Sequence, residues 1–516
     1  MALQATEKYL SDLLTGNPRP PHRFSWYSHP SNSMSSPFDS QRGLVHLPNG
    51  GEVDTEMKLC PYNAKRNHND SAETNQRNSK HLAASHSEES EPLSDMCYDA
   101  LLGPIGRNIT KLENSGSKAG GRNRRGRKKG ETKKEFVDIC GLLSQCAQSM
   151  AVNDIRAVTE ALKNIRMHAS PHGNGTERMA FYFANALEAR SNGTATSLYA
   201  SKHPNNISAA DIFKVHWMYI NASPFKRVSA MMANKCITKL ASGGATRLHI
   251  IDFGIQYGFQ WPCLIQALLK RPGGPPTLRI TGIDFPEPGF RPDEQVKATG
   301  LRLEKYCKSY NVPFEYKGIA RKWESISLED LEIDRDGEVL VVNCLDRLGN
   351  VPDDTLVPNC PRDSVLNLIK LINPDMFIHG VLNGAFNVPF FYTRFREALF
   401  HFSSLFDMLE VTVPGDDKQR LLFEEMVFGR EVLNVIACEG TERVERPETY
   451  KQWQVRSLRA GLQQLPLDQE IVKSLREKVI SDYDKNFSVE SDGNWMLQGW
   501  KGRVVQAVSC WKTKNN

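Results

Sequence analysis

No run of eighteen apolar residues occurs in the 516-residue chain, so the sequence offers no helix apolar enough to cross a bilayer. There is no CxxC pair, and the thirteen histidines are scattered without metal-ligand spacing, which excludes the common zinc modules and thioredoxin-like redox motifs. A P-loop, a GxSxG elbow and an HExxH helix are all missing. The first residues lack a basic segment followed by an apolar one, so no secretory signal is expected. The cysteines number eleven, an odd count, and most sit in apolar runs (Cys140, Cys146, Cys236, Cys263, Cys344). That placement predicts reduced thiols packed in a core rather than a disulfide framework. No cofactor, metal or catalytic constellation emerges from these patterns.

Net charge is a modest +5, but it is unevenly placed. Residues 118–135 hold nine Lys or Arg against two Glu, so the remainder of the chain is slightly acidic. Only 36 of the first 117 residues are apolar, against 40% for the whole chain. The head, residues 1–132, therefore reads as disordered, with the body carrying the core. Two islands interrupt the head. Tyr9, Leu10, Leu13 and Leu14 have helical spacing, too short to be stable alone. Glu88 to Leu102 interleaves acids with Leu93, Met96, Tyr98, Leu101 and Leu102, a pattern suited either to an activation segment or to a plain soluble tail. The basic run contains Arg122, Arg124, Arg125, Arg127, Lys128, Lys129, Lys133 and Lys134 in a Gly-rich context. It fits the acidic groove of a nuclear-import receptor, with unselective phosphate contact as a second use and a solvated linker as the plain alternative.

From residue 133 to 245 the apolar period is helical. Phe136, Ile139, Leu143, Cys146 and Met150 mark one helix; Ile155, Val158, Leu162 and Ile165 a second, capped by Asn153. Thr176 opens a third and Ser208 a fourth, and a further helix follows Ser223-Pro224. The heptads are not sustained, so packing within one chain is expected rather than a parallel zipper. After residue 246 the period changes to alternating strands and helices, which predicts a mainly parallel sheet with helices on both faces. Strands are expected at 248–252, 278–284, 314–319, 338–343 and 376–379, with a closing hairpin near the C-terminus. Two of these strands end in acids, Asp252 and Asp284, and Gly254 and Gly258 follow the first. An acid after each of two adjacent strands is what a nucleotide-type cofactor would use. The bulky Ile255, Gln256 and Tyr257 between the glycines favour instead a turn in which Asp252 caps a helix.

The ordered segments, taken in sequence, resemble the GRAS family of plant regulatory proteins over residues 133 to 516. Leu248-His249-Ile250-Ile251-Asp252 is similar to the family's VHIID motif, with Leu for the first Val. Pro389, Tyr392, Arg396 and Glu397 fall in the segment matching PFYRE, and Trp495, Trp500 and Trp511 match the SAW region. The runs Asp252 to Pro262, Pro288 to Pro292 and Arg446 to Val455 resemble the scarecrow-like branch. The resemblance implies a helical cap on an α/β core related to methyltransferase-like Rossmann folds. It implies a nuclear transcription regulator rather than an enzyme. Its partners would be other transcription regulators, DNA-binding factors and promoter DNA, with homo- or heterodimers formed through the GRAS domain and no membrane. The competing expectation is a methyltransferase-like enzyme using S-adenosylmethionine, motivated by the sheet and by Asp252 and Asp284.

Overall fold

A computed structural model describes residues 137–201, 208–335, 337–353 and 360–514. The head, its two islands and the basic run from Arg122 to Lys134 lie outside these residues. Six helices precede the sheet: α1 (Ile139–Ala151), α2 (Ile155–Arg166), α3 (Gly175–Asn192), α4 (Ala195–Ser201), α5 (Ala209–Ala222) and α6 (Phe225–Ala241). Their ends follow capping chemistry. Asp154, not Asn153, caps α2 by accepting from the Ala157 amide, while Asn153 takes the left-handed turn at φ 58°. Asn174 and Glu177 form a capping box at the start of α3, with the cap two residues before Thr176, and Gly193 ends it at φ 66°. Ser208 caps α5 as expected.

The α/β portion runs β1 (Arg247–Phe253), α7 (Trp261–Leu269), β2 (Thr277–Asp284), α8 (Glu294–Ser309), β3 (Phe314–Ala320), β4 (Glu338–Leu345), α9 (Pro361–Ile372) and β5 (Met376–Leu382). It continues through α10 (Phe391–Thr412), α11 (Lys418–Phe423), a π turn (Glu424–Gly429), α12 (Arg430–Ile436) and α13 (Tyr450–Arg459). The chain closes with β6 (Leu462–Gln464), α14 (Gln469–Asp482), β7 (Phe487–Asp492), β8 (Trp495–Trp500) and β9 (Arg503–Thr513). Strand order is 3-2-1-4-5-9-8-7, with β6 also on β9. Strands β1 to β5 are parallel, and β9 runs antiparallel against β5. The order reverses between β1 and β4, which defines a switch point at their carboxyl ends.

Alternation along the buried strands splits the core into two layers. Leu248 and Ile250 face the layer shared with α3, α6 and α10, and Ile251 and Phe253 face the layer beneath α9. Trp495, Trp500 and Trp511 are all core residues, at most 1% exposed. Trp495 and Trp511 meet edge to face on the α9 side, whereas Trp500 packs on Phe487 in the other layer. All nine cysteines among the described residues are free thiols, seven of them buried.

Helices α10 and α12, inserted after β5, pack on α3, and α11 packs on α5. The reason is aromatic: Phe395 and Phe402 meet Phe183 edge to face, and Phe406 stacks on Tyr182. A buried ion pair, Arg178 Nε to Glu424 at 3.0 Å with both side chains fully buried, ties α3 to the π turn. Breaking it strands a buried charge, so Arg178→Ala should cost about 3–5 kcal/mol. The half-exposed Arg166–Glu188 pair should cost under about 1 kcal/mol when Arg166→Ala removes it. Urea unfolding of the two variants distinguishes them, and equal effects would refute the assigned role of Arg178.

Candidate functional site

Asp252 stands in the crevice at the switch point. This side chain, 4% exposed, ends β1 directly opposite Asn343 of β4 in register. Its Oδ1 accepts from Asn343 Nδ2 at 2.8 Å and its Oδ2 from the Trp261 indole at 2.9 Å. Burial pushes the carboxyl up to about 7, against the opposing pull of those two hydrogen bonds. The rest of the LHIID segment is structural. His249 Nε2 lies 2.8 Å from Thr281 Oγ1 and its Nδ1 3.4 Å from Glu338. Burial, with Arg279 and Arg247 nearby, pushes that imidazole down to about 3, so it stays neutral.

Asp284, at the end of β2, is equally committed. Its Oδ2 accepts from the Gln256 amide at 2.9 Å, and its Oδ1 from the Phe285 amide at 2.9 Å and from Arg347 at 3.3 Å. The turn after β1 is folded upon itself. Gly254 (φ 97°), Gln256 (φ 48°) and Gly258 (φ 68°) all take left-handed backbone. The amides of Gly254 and Ile255 both donate to the Ile283 carbonyl, at 2.8 and 3.1 Å. A Cβ on Gly254 would fall 2.5 Å from Arg347 Cγ, so the arginine lies against the turn. Phe285 stacks on Trp323 at 4.7 Å. Each group that could cradle a nucleotide is thus held by a protein group. The strong signals at Asp252 and Asp284 were legible in the sequence; Trp261, Asn343 and Arg347, which use them, were not singled out.

The crevice opens into a chamber of about 1610 Å³ with a mostly apolar wall, which Asp252, Gln256, Asp284, Asn343 and Arg347 themselves help to line. Its lining includes Tyr219, Lys226, Asp346, Phe423, Glu431 and Gln506. Of the LHIID, PFYRE and SAW residues only Asp252 borders it, whereas the run from Gly254 to Trp261 lines it throughout. Among the described residues no cluster of His, Cys, Asp or Glu could hold a metal ion, and no helix is long and apolar enough to cross a membrane.

The PFYRE segment begins α10. Its buried arginine is Arg394, not Arg396. Arg394 pairs with Glu439 and donates to the carbonyls of Val435 (2.8 Å), Val388 (3.1 Å) and Pro389 (3.1 Å). From the sequence Arg394, Arg396 and Glu397 could ion-pair at the edge of an aromatic core; in the structure Arg396 is exposed and Arg394 pairs with Glu439. Helical geometry explains the difference: Arg394 shares a face with Phe395 and Ala398, and Arg396 lies outside it. Tyr392 and Glu397 are half-buried at the helix flank.

These geometries coincide with the comparisons to known proteins. A model of the GRAS domain family matches residues 139–512, and the chain belongs to that family. Its relatives are of the Scarecrow-like type. Scarecrow-like protein 14 of Arabidopsis thaliana is 54% identical over 382 residues, covering 74% of this chain and 49% of the relative. The Scarecrow-like transcription factor PAT1 of the same plant is 32% identical over 377 residues, covering 73% and 76%. The crystal structure of SCL7 in Oryza sativa has a TM-score of 0.62 at 28% identity, covering 73% of this chain and all of that one. The chain spans about half the length of the first curated relatives, 49% and 53%.

Two outcomes follow. A carboxyl whose native pKa is raised binds its proton more readily folded than unfolded, so its contribution to stability falls as pH rises from about 4 to about 7. Asp252→Asn should therefore flatten the loss of Tm between pH 5 and pH 8, while Asp252→Ala, leaving the Trp261 and Asn343 donors unpaired, should cost about 2–4 kcal/mol. Calorimetry across that range checks both. In the same assay Arg394→Ala should cost about 3–5 kcal/mol and Arg396→Ala under about 0.5 kcal/mol.

Proposed function

We propose that the chain is a nuclear transcription regulator whose GRAS domain works as a docking body for other regulators and DNA-binding factors, not as an enzyme. The observation that carries this reading is the internal use of Asp252 and Asp284. In a nucleotide-binding α/β protein the acid after the second strand would meet a ribose; here Gln256 and Arg347 hold it. Family membership supports the regulatory part, since a relative is named a transcription factor. The surface supports docking. Phe390 (75% exposed) and Phe400 (59% exposed) stand out beside the PFYRE helix, and single large apolar groups of this kind anchor protein interfaces. Homo- or heterodimers through this domain belong to the same reading. Promoter DNA is a further contact, to which the basic run would lend salt-sensitive, unselective affinity.

Nuclear import through the basic run is tested by replacing Arg122, Arg124, Arg125, Arg127, Lys128, Lys129, Lys133 and Lys134 with Ala in a fusion too large to diffuse through pores. Nuclear accumulation should be lost; unchanged accumulation would remove the run from the import signal. The enzyme alternative is tested with S-adenosylmethionine at millimolar concentration. A ligand at a hundred times its Kd adds about 2.7 kcal/mol to stability, so the absence of both a Tm shift and saturable heat is expected. A saturable signal would reinstate the methyltransferase reading.

A further inference from the structure

Beyond Asp252 and Asp284, the chamber carries charged and aromatic groups that the family motifs do not account for. At about 1610 Å³ it exceeds the ~300–1,000 Å³ of most small-molecule sites, and its wall is mostly apolar. Flat rings line it: Tyr219 stacks on Phe423 with centroids 4.5 Å apart. Charged side chains also border it, among them three from three separate elements. Lys226 stands in the first turn of α6, Glu431 in the first turn of α12, and Asp346 just past β4. Asp346 is held in left-handed backbone at φ 65°, a costly conformation for a residue with a side chain. Its Oδ2 accepts from Gln506 at 2.8 Å, and its buried Oδ1 has no partner. Lys226 makes no hydrogen bond or ion pair with any described residue, although it is the lysine that Asp346 and Glu431 both sense.

We propose that this chamber binds a small amphipathic monocarboxylate with a flat, apolar body, its ring system against Tyr219 and Phe423 and its carboxylate on the Lys226 ammonium. The choice of charge follows from what is left unpaired. Arg347 is taken by Asp284, and Arg430 by Glu445 and the Tyr199 ring, whereas Lys226, the lysine that both Asp346 and Glu431 sense, has no partner among the described residues. One such cation matches a monoanion; a phosphate dianion would need a second. An organic amine would face Lys226 itself. The acids around it do not close the site to an anion. Burial, reinforced by Glu445, pushes Glu431 up to about 8, so near neutrality it carries a proton that it can donate to a carboxylate oxygen. Asp346 is pushed up to about 6 by burial against the opposing pull of Lys226. The remaining neighbour, His216, is held neutral, pushed down to about 3 by burial and by Lys226.

The test uses the full chain and three probes of one shape: 2-naphthoate, neutral 2-naphthol and cationic 2-naphthylmethylammonium. Isothermal titration and thermal shift should show naphthoate saturating one site and binding roughly tenfold or more tightly than naphthol, with the cation weaker still. Lys226→Gln should abolish the preference for the anion, and Lys226→Arg should retain it. Three results would overturn the proposal: no saturable naphthoate binding at millimolar concentration, a cation that binds as tightly as the anion, or a folded Lys226→Gln protein with undiminished naphthoate affinity. The comparison of the three probes on the unaltered chain decides the matter even if the variants fail to fold. It is also independent of the regulatory reading, since it is read by binding alone.

Discussion

The Asp252 carboxylate is the constraint around which the α/β half is arranged. It sits at the switch point, where β1 and β4 diverge and an open parallel sheet offers its ligand site. A carboxyl buried there needs partners, because an unpaired acid in such a place costs several kcal/mol. Asn343 supplies one from the neighbouring strand and Trp261 the other from the first turn of α7. These bonds fix the helix start, the strand pair and the turn between them. That turn then has three left-handed residues within five positions, and its amides fold back on the Ile283 carbonyl and on Asp284. The turn and the two acids form a small polar network on one wall of the chamber.

The helices over the sheet are tied down at separate places: α6 packs on β9, and the helices after β5 pack on α3 and α5. Gln498 of β8 donates to the Phe225 carbonyl at 3.1 Å and to Ser229 at 2.8 Å, anchoring α6 on the antiparallel side of the sheet. The aromatic ladder from Phe183 through Phe402 and Phe428 to Phe423 holds the other side. The chamber is the volume left between these two anchors. Its depth is a consequence of where the cap is tied down, and its polarity a consequence of which charged residues happen to start helices there.

Much of this was legible in the sequence, for identifiable reasons. The five parallel strands are short apolar runs such as Glu338 to Asn343, bounded by turn residues, and a parallel strand buried on both faces has to read that way. The three SAW-region tryptophans were weighed as core or as interface. Burial of at most 1% places them in the core, with the Trp500 indole on Asp407 and the Trp511 indole on Ser509. What escaped was anything set by contacts between residues far apart in the chain. The Arg178–Glu424 pair spans 246 positions and the Asp252–Asn343 bond 91, and no periodicity announces either. The packing of α10, after β5, on α3 likewise depends on aromatic contacts that only the folded chain reveals.

The arginines of the PFYRE segment show the same limit at single-residue scale. Arg394 and Arg396 look alike in sequence, two positions apart beside the same aromatics. On a helix two positions are about 200° of rotation, so one must face in if the other faces out. Which one is buried is settled by phase: Phe395, Ala398, Phe402 and Leu405 set the inward stripe, and Arg394 flanks it. Once inside, a guanidinium is tolerated because Val435, Val388 and Pro389 offer carbonyls and Glu439 offers a charge. The partner carboxylate lies 45 residues away, in the loop after α12. The motif thus records one half of a long-range clamp, and its exposed members, Arg396 among them, remain available at the surface.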